Sequence, residues 1–423
     1  MGYLIFGAFF LFLLIGVPIG LSIGLAALVV FIQAGIPLQM VPQTLFEGNN
    51  SFSLVAVPFF ILAGDLLARG GISERIVAFA EACLGRIRGG LSIVSVLASM
   101  FIAAISGSGA ATTAAVGASL LPELKERKYD EDFSAALIAS AGTIGVVIPP
   151  SVPMVLYAVI AGESVAKLFL GGFIPGTLMG LGLIIWAILI AKKRNYPAGR
   201  KYTLREVGKS FVSAIWGLLC PGIILGGIFS GVFTPSEAAG IAVVYTVLVA
   251  IFVYKALDFK KFYKLVVGSG VTSALIMFII ATSKVFGWGL AFYQIPQAIA
   301  GTLLSITKNN AILVFLMIDV IILIAGMFME TASALIILTP IFIPAILGVG
   351  GNLIHFGVVL VVGLSIGMAT PPVAIDIYVA SAITGLPMGK ITKPIIPMVL
   401  ILCGVFLLIT YVPQLVMLLP NLG

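Results

Sequence analysis

Between Arg88 and Glu123 the chain runs for 34 residues without a charged side chain, and from Asn309 to Gly389 it contains no Lys or Arg. Apolar runs of this kind recur from end to end, separated by short polar or Gly/Pro-containing connections. A hydrocarbon core about 30 Å thick admits a backbone only when its N–H and C=O groups are satisfied internally, so such runs must be helical. With 61% hydrophobic and 9% charged residues over 423 positions, the chain has no room for a soluble domain of any size. The expected class is an all-α polytopic membrane protein.

The net charge of +7 would suggest nucleic acid in a soluble protein. Here 20 of the 23 Lys and Arg residues fall in five short basic stretches: Arg69 to Arg88, Lys125 to Lys128, Lys192 to Lys209, Lys255 to Lys264, and Lys390 with Lys393. Such loops set orientation, and if all five are cytoplasmic the crossings between them come in even numbers. The apolar start, Tyr3 to Gln33, lacks the basic leader of a cleavable signal peptide and reads as retained membrane structure. Gly16-Val17-Pro18 can divide it, which leaves the side of the N-terminus open. Cys83, Cys220 and Cys403 have no paired spacing and read as packing residues.

Gly89 to Pro122 joins two basic loops, so it must enter and leave on one side. As a continuous helix it would be about 51 Å long. Folded at Ser106 to Gly109, where two glycines allow a tight reversal and two serines can satisfy freed backbone groups, it becomes a re-entrant hairpin. A pair of spanning helices, or one helix using small residues for close packing, is the plainer alternative.

A shift of 222 residues places Pro122 on Pro344, Pro149-Pro150 on Pro371-Pro372, Pro175 on Pro397 and Gly145 on Gly367, without a gap. The chain therefore reads as an internal duplication, in which the partner of Ser106 to Gly109 is Phe328-Met329-Glu330-Thr331. The basic loop Lys125 to Asp132 maps onto the uncharged Leu347 to Ile354, so the halves are expected to be inverted. The expected limits are 1–206, with a hairpin at about 89–122 and a broken helix at about 133–161, and 207–423, with a hairpin at about 311–350 and a broken helix at about 354–384. The breaks are Pro149-Pro150 and Pro371-Pro372, since adjacent prolines remove two amide donors and free carbonyls at membrane depth.

Irregular backbone at that depth must face protein, water or a ligand. The plain alternative is that protein fills the space. The functional reading is a pair of cation sites, in which oxygens of Ser106, Ser108 or Thr331 join carbonyls around Thr143 to Ile148 and Thr370. Oxygen ligands suit a hard ion such as Na⁺. The second arms would begin near Ala110 and Ala332, with positive helix ends that attract an anion.

The segments ISGSGAATTAAVG, GTIGVVIPPSVPMVLYAVIAGESVAKLFLGGFIPG, GMFMETASALIILTPIFIPA and GLSIGMATPPVAIDIYVASAITGLPM resemble the large membrane subunit of tripartite ATP-independent periplasmic (TRAP) transporters, over essentially the whole chain. The resemblance implies an inverted-repeat ion-transporter-superfamily fold with two re-entrant hairpins and two broken helices, working as an elevator in the bacterial cytoplasmic (inner) membrane. It implies a sodium-coupled importer of an organic anion, such as sialic acid or a C4-dicarboxylate, rather than an enzyme. Two partners are implied: a periplasmic substrate-binding protein and a small four-helix membrane subunit. No extra helices precede Tyr3, so that subunit is expected to be a separate chain.

Carried over by position, the resemblance implies a first Na⁺ site at Ser106, Gly107, Ser108, Gly109, Gly142, Thr143, Val146 and Pro149. A second would involve Gly326, Met329, Glu330, Thr331, Gly367, Met368, Thr370 and Pro371. Substrate would lie between the tips, against the hydroxyls of Ser108, Thr112, Thr113, Thr331 and Ser333. Glu330 stands where relatives often carry aspartate, and serves either as an ion ligand or as a hydrogen-bonding stabiliser of the tip. Lys284 is expensive against lipid and needs a partner such as Asp65 or Asp319, or the substrate anion. Asp376 could assist the second cation site or bind protons, and His355, the single histidine, is expected at the interface.

Two other functions compete for the same residues. A binding-protein-independent Na⁺/dicarboxylate or citrate symporter of the same superfamily would share every motif above. An intramembrane protease is disfavoured, because one histidine cannot make His-Glu-x-x-His and the neighbours Ser283 and Lys284 point apart on a helix.

Overall fold

The computed structural model describes residues 2–422, and among them the secondary structure is helical apart from a single bridge between Arg88 and Ala198. The first half contains α1 (Gly2–Leu14), α2 (Ile19–Gln33), α3 (Met40–Asn49), α4 (Ala56–Arg69), α5 (Ile72–Leu84), α6 (Gly90–Ser106), α7 (Gly109–Glu126), α8 (Glu131–Gly142), α9 (Val152–Ala161) and α10 (Val165–Lys193). The second contains α11 (Leu204–Phe229), α12 (Pro235–Leu248), α13 (Phe259–Phe292), α14 (Ile295–Ile306), α15 (Ala311–Phe328), α16 (Thr331–Gly348), α17 (Leu353–Gly367), α18 (Ile375–Thr384), α19 (Met388–Tyr411) and α20 (Gln414–Met417). Among the described residues, eight helical segments are long and apolar enough to cross a membrane. The division at 206/207 falls one turn into α11, whose true start is marked by a capping box between Thr203 and Glu206.

The 222-residue register holds in the helices themselves. It superposes α7 on α16 residue for residue, and pairs α5 with α14, α6 with α15, α8 with α17, α9 with α18 and α10 with α19. Two departures occur: α1 falls on 224–236, across the end of α11 and the start of α12, and the interruption between α3 and α4 is not repeated. Helices α3 and α4 map onto a single continuous helix, α13, because Asn49-Asn50-Ser51 interrupts the first half whereas the matching Val271-Thr272-Ser273 continues the helix.

The halves exchange partners. Helix α4 packs on α12 while α13 packs on α2, and α7 packs on α18 while α16 packs on α9. This reciprocal exchange is what a two-fold relation between repeats produces. It also separates two blocks: one of α2, α4, α12 and α13, and one of the hairpins α6/α7 and α15/α16 with the broken helices α8/α9 and α17/α18. Helices α5 and α14 join them, α5 packing on α11 and α6, and α14 on α16.

At the basic face, the connection between halves is tied to two earlier loops. Arg127 pairs with Glu81 at 2.9 Å and with Glu123, and the Tyr202 hydroxyl donates to Glu81 at 3.0 Å. The Gly199 amide donates to the Gly85 carbonyl at 3.0 Å. Asp130 accepts from the Tyr196 hydroxyl at 2.6 Å and pairs with Arg194 at 2.5 Å. Three of the five basic stretches thus meet on one side, as even numbers of crossings between them require.

The Tyr196 hydroxyl, with Arg194 beside it, holds the Asp130 carboxyl below the ordinary carboxylate range. A depressed folded value means that the group stabilises the fold above its unfolded value of about 3.9, and that this contribution is lost as the pH falls further. Replacing Tyr196→Phe should lower stability at neutral pH by about 0.5–1 kcal/mol, allowing for solvent screening. Thermal unfolding in detergent should show the difference from wild type shrinking as the pH is lowered below about 4.

Candidate functional site

Hairpin one turns at a single residue. Helix α6 ends at Ser106, Gly107 takes φ +60° and reverses the chain, and Ser108 in extended conformation caps α7 by accepting from the Ala111 amide at 3.5 Å. The tip then closes on itself: Ser106 Oγ and Thr112 Oγ1 lie 2.8 Å apart, and Thr112 Oγ1 donates to the Ser108 carbonyl at 2.9 Å. Opposite it, α8 stops at Gly142, one tight turn runs from Thr143 to Val146, and the cis Pro149-Pro150 bond precedes α9. Ser151 caps α9 and donates to the Val146 carbonyl at 2.5 Å, which recovers one carbonyl freed by the break.

The two segments fit by close approach. A Cβ on Gly145 would lie 2.6 Å from the Ser108 carbonyl oxygen and 2.6 Å from Thr112 Oγ1, and one on Gly107 would lie 2.9 Å from the Pro150 carbonyl oxygen. Ser106 to Gly109 therefore sits against Gly142 to Pro150. Thr143 turns its hydroxyl back onto the Ser140 carbonyl at 2.7 Å, and Pro149 is buried.

Hairpin two reaches the same shape without glycine. Met329 and Glu330 are extended, and the Glu330 carboxylate caps α16 by accepting from the Ser333 amide at 3.2 Å and lying 3.5 Å from its hydroxyl. These are the hydrogen bonds expected of a stabiliser of the tip. Gly326 meets α17 backbone to backbone: a Cβ on Gly367 would lie 2.1 Å from the Gly326 carbonyl carbon. Beyond the cis Pro371-Pro372 bond, the Val373 amide donates to the Met327 carbonyl at 3.1 Å, and the Asp376 amide to the Met368 carbonyl at 3.0 Å. Thr370 returns its hydroxyl to Ile366 at 2.8 Å, and with Pro371 it is half-buried. Thr331 is buried, its hydroxyl without a hydrogen-bond partner.

Both tips border one cavity of about 180 Å³. Ser106 to Gly109 and Val146 line it from one half and Glu330, Ala332 and Met368 from the other, while Asp65 on α4 and Thr272 on α13 close the far wall. Of the five hydroxyls expected around substrate, Ser108 borders this space. Thr112, Thr113, Thr331 and Ser333 are buried in the protein and do not line it.

The sequence reading did not place Asp65 here. Its signal was an isolated acid in the apolar run Phe52 to Ala68. It accepts from the Ser269 hydroxyl at 2.6 Å rather than pairing with Lys284. Lys284 makes no ion pair among the described residues and is exposed. It stands 20 residues, or about 30 Å of helix, beyond Lys264, a separation close to the thickness of a hydrocarbon core. His355, in the first turn of α17, is buried, with Nε2 2.9 Å from the Ile409 carbonyl oxygen and its ring against Phe315.

The model for the family described as "Tripartite ATP-independent periplasmic transporter, DctM component" matches residues 6–415. The chain belongs to this family. A C4-dicarboxylate TRAP transporter large permease protein of Pseudomonas aeruginosa is 41% identical over 95% of the chain and 94% of its own length. A sialic acid TRAP transporter large permease protein of Vibrio cholerae is 37% identical over 96% of the chain and 95% of its own length. An isethionate TRAP transporter permease protein of Oleidesulfovibrio alaskensis is 41% identical over 98% of the chain, which spans 65% of that relative's length. The fold resembles the YdaH transporter of Alcanivorax borkumensis, with a TM-score of 0.66 at 14% identity over 88% of each chain. The TRAP large permease described here is thus a multi-pass protein of the bacterial cytoplasmic membrane.

The Gly326/Gly367 contact offers a direct test of the site's framework. Gly367→Ala must part α15 from α17, at a cost at or above the 1–3 kcal/mol usual for overpacking. Gly404→Ala, on a face of α19 with nothing within 4 Å, should be neutral or stabilising by up to about 1 kcal/mol. Melting temperatures of the purified variants should separate the two clearly.

Proposed function

We propose that this TRAP large permease imports an organic anion, a carboxylate in the class of sialic acids or C4-dicarboxylates, coupled to sodium entry. The observation that carries this reading is the meeting of two hairpin tips and two broken helices around one cavity. Each break frees backbone oxygens where lipid can satisfy none, which is the setting in which protein oxygens hold Na⁺. The N-termini of α7 and α16 lie at the same place and favour an anion. The first Na⁺ site is assigned to Ser106 to Gly109 with Gly142, Thr143, Val146 and Pro149. The second is assigned to Gly326, Met329 to Thr331, Gly367, Met368, Thr370 and Pro371, and Ser108 is the residue best placed to touch substrate.

The transport step is assigned to an elevator motion. The cavity lies where the hairpin block meets α4 and α13 of the other block, so sliding one block past the other would carry the site with the hairpins. The charge asymmetry between Lys125 to Asp132 and Leu347 to Ile354 supports inverted halves. A periplasmic binding protein would deliver substrate, and a small four-helix membrane subunit would complete the assembly. The family description names a tripartite system, which is the ground for both partners.

Energetically the reading is sufficient. Each charge entering down 100 mV releases about 2.3 kcal/mol, and a tenfold Na⁺ gradient adds about 1.4 kcal/mol. Two ions supply on the order of 7 kcal/mol, less what the substrate's own charge costs. In proteoliposomes containing the small subunit and candidate binding proteins, uptake should require an inward Na⁺ gradient. Ser106→Ala or Ser108→Ala should raise the half-saturating Na⁺ about tenfold, the equivalent of one lost polar contact. Uptake undiminished when K⁺ replaces Na⁺ on both sides would falsify the sodium reading.

A further inference from the structure

Among the described residues, Asp65 is the one charged side chain that α4 and α13 bring to the cavity between the hairpin tips. Its neighbour fixes its place: a Cβ on Gly64 would lie 2.8 Å from the Ser106 carbonyl oxygen, so α4 runs directly against tip one and Asp65 stands beside it. Asp65 Oδ2 accepts from the Ser269 hydroxyl at 2.6 Å, which ties α4 to α13. Among the described residues it takes part in no ion pair. A carboxylate has room for about four donors, so most of its accepting capacity is left over by the protein. An acid in a membrane-spanning helix is expensive and as a rule faces a cavity that uses it. The 222-residue register sets Gly287 against Asp65, so the repeat framework does not itself require an acid there.

The rest of the lining limits what can enter. Among the described residues no Lys, Arg or His borders the cavity, and Asp65 and Glu330 are its charged side chains. Two helix N-termini open on it, each favourable to negative charge. That of α16 is served by its own Glu330, which accepts from the Ser333 amide at 3.2 Å. That of α7 is capped by the neutral Ser108, at 3.5 Å from the Ala111 amide. The cavity therefore favours one anionic group, at α7, while the α4/α13 wall presents the Asp65 carboxylate and the Thr272 hydroxyl. Its volume of about 180 Å³ lies below the about 300–1,000 Å³ of pockets that hold drug-sized ligands, so a small acid anchored at α7 reaches that wall. A second carboxylate there would meet Asp65 with like charge in a poorly screened site. A hydroxyl or ammonium group would donate to it.

We propose that Asp65 determines specificity: it selects a small acid with a single anionic end, whose other end carries hydrogen-bond donors, and it discriminates against a dicarboxylate. Hydroxyl and ammonium groups share this donor chemistry. Asp65 and Thr272 belong to the block of α4 and α13, and α7 belongs to the hairpin block, so such a substrate bridges the two. The inference rests on the reading of this cavity as the substrate site, and it narrows the carboxylate class given above.

The test uses the purified full chain in detergent, read by thermal unfolding, since a ligand that binds the folded state raises the melting temperature. The probes are butyrate, γ-hydroxybutyrate, γ-aminobutyrate and succinate, which share a carboxylate and a chain length and differ at the far end. Each is titrated in NaCl and in choline chloride at equal ionic strength. In wild type the two donor-bearing probes should half-stabilise at concentrations about tenfold or more below butyrate and succinate, the worth of one hydrogen bond to a charged acceptor. Asp65→Asn keeps an acceptor for Ser269 but removes the charge. It should bring succinate to within about threefold of γ-hydroxybutyrate and weaken γ-aminobutyrate the most. Ser269→Ala loosens the tie between α4 and α13 but keeps the carboxylate, and should lower the melting temperature without changing the order of the probes.

Succinate acting on wild type at a lower concentration than the donor-bearing probes would overturn the proposal and leave the cavity standing as a substrate site. Stabilisation by none of the four would remove both. If Asp65→Asn and Ser269→Ala lower the melting temperature alike and neither changes the order, Asp65 is only a tie between helices and the proposal fails. Should Asp65→Asn not fold, Asp65→Glu carries the test. Its carboxylate reaches one methylene further, so the shorter β-alanine should overtake γ-aminobutyrate, and an unchanged order overturns the proposal. The expected order appearing equally in both salts would support the role of Asp65 while removing the sodium coupling.

Discussion

A polypeptide inside a bilayer cannot leave backbone N–H and C=O groups to lipid, and this chain interrupts apolar helical stretches at two hairpin tips and two proline breaks. Everything at the centre of the molecule follows from how those interruptions are closed. Gly107 reverses the first hairpin, and the freed groups are taken up by Ser106, Ser108 and Thr112. The first break is repaired by Ser151 reaching back to Val146, and the second by the amides of Val373 and Asp376 reaching Met327 and Met368. Each half supplies closure for irregular backbone and at the same time covers the other half, through α7 on α18 and α16 on α9. Neither half would be satisfied alone.

The repeat is close in geometry and distant in chemistry. Hairpin one is built from glycine and hydroxyls, whereas hairpin two uses extended Met329 and a glutamate cap to make the same turn. The first tip therefore presents neutral oxygens, and the second presents mainly backbone with a carboxylate hydrogen-bonded to Ser333. Helix α13 remains continuous where α3 and α4 are interrupted, so the wall facing the tips contains one straight helix bearing Ser269 and Thr272 and one short helix bearing Asp65.

Much of this was legible before any coordinates. The charge-free length of Gly89 to Pro122 required a fold at Ser106 to Gly109, and the register of prolines marked Phe328 to Thr331 as its counterpart, because backbone breaks leave a signature in residue type. Side-chain direction left none. Thr112 and Thr113 are neighbours in sequence, yet one joins the hairpin tip and the other faces Asp376, since successive helical residues point about 100° apart. Asp65 and Lys284 are both isolated charges in apolar runs. One lines the cavity and the other is exposed on α13, a difference that their local sequence does not reveal.

The sequence by itself determined that the chain lives in a membrane, that it is a duplication, and where its helices must stop. Those properties depend on hydrophobic length, proline and glycine, which act on their own neighbours and need no partner. Only the tertiary structure decided which oxygens converge. Asp376 and Thr113 are 263 residues apart, and whether they meet depends on the packing of α7 against α18, a choice made by surfaces far apart along the chain.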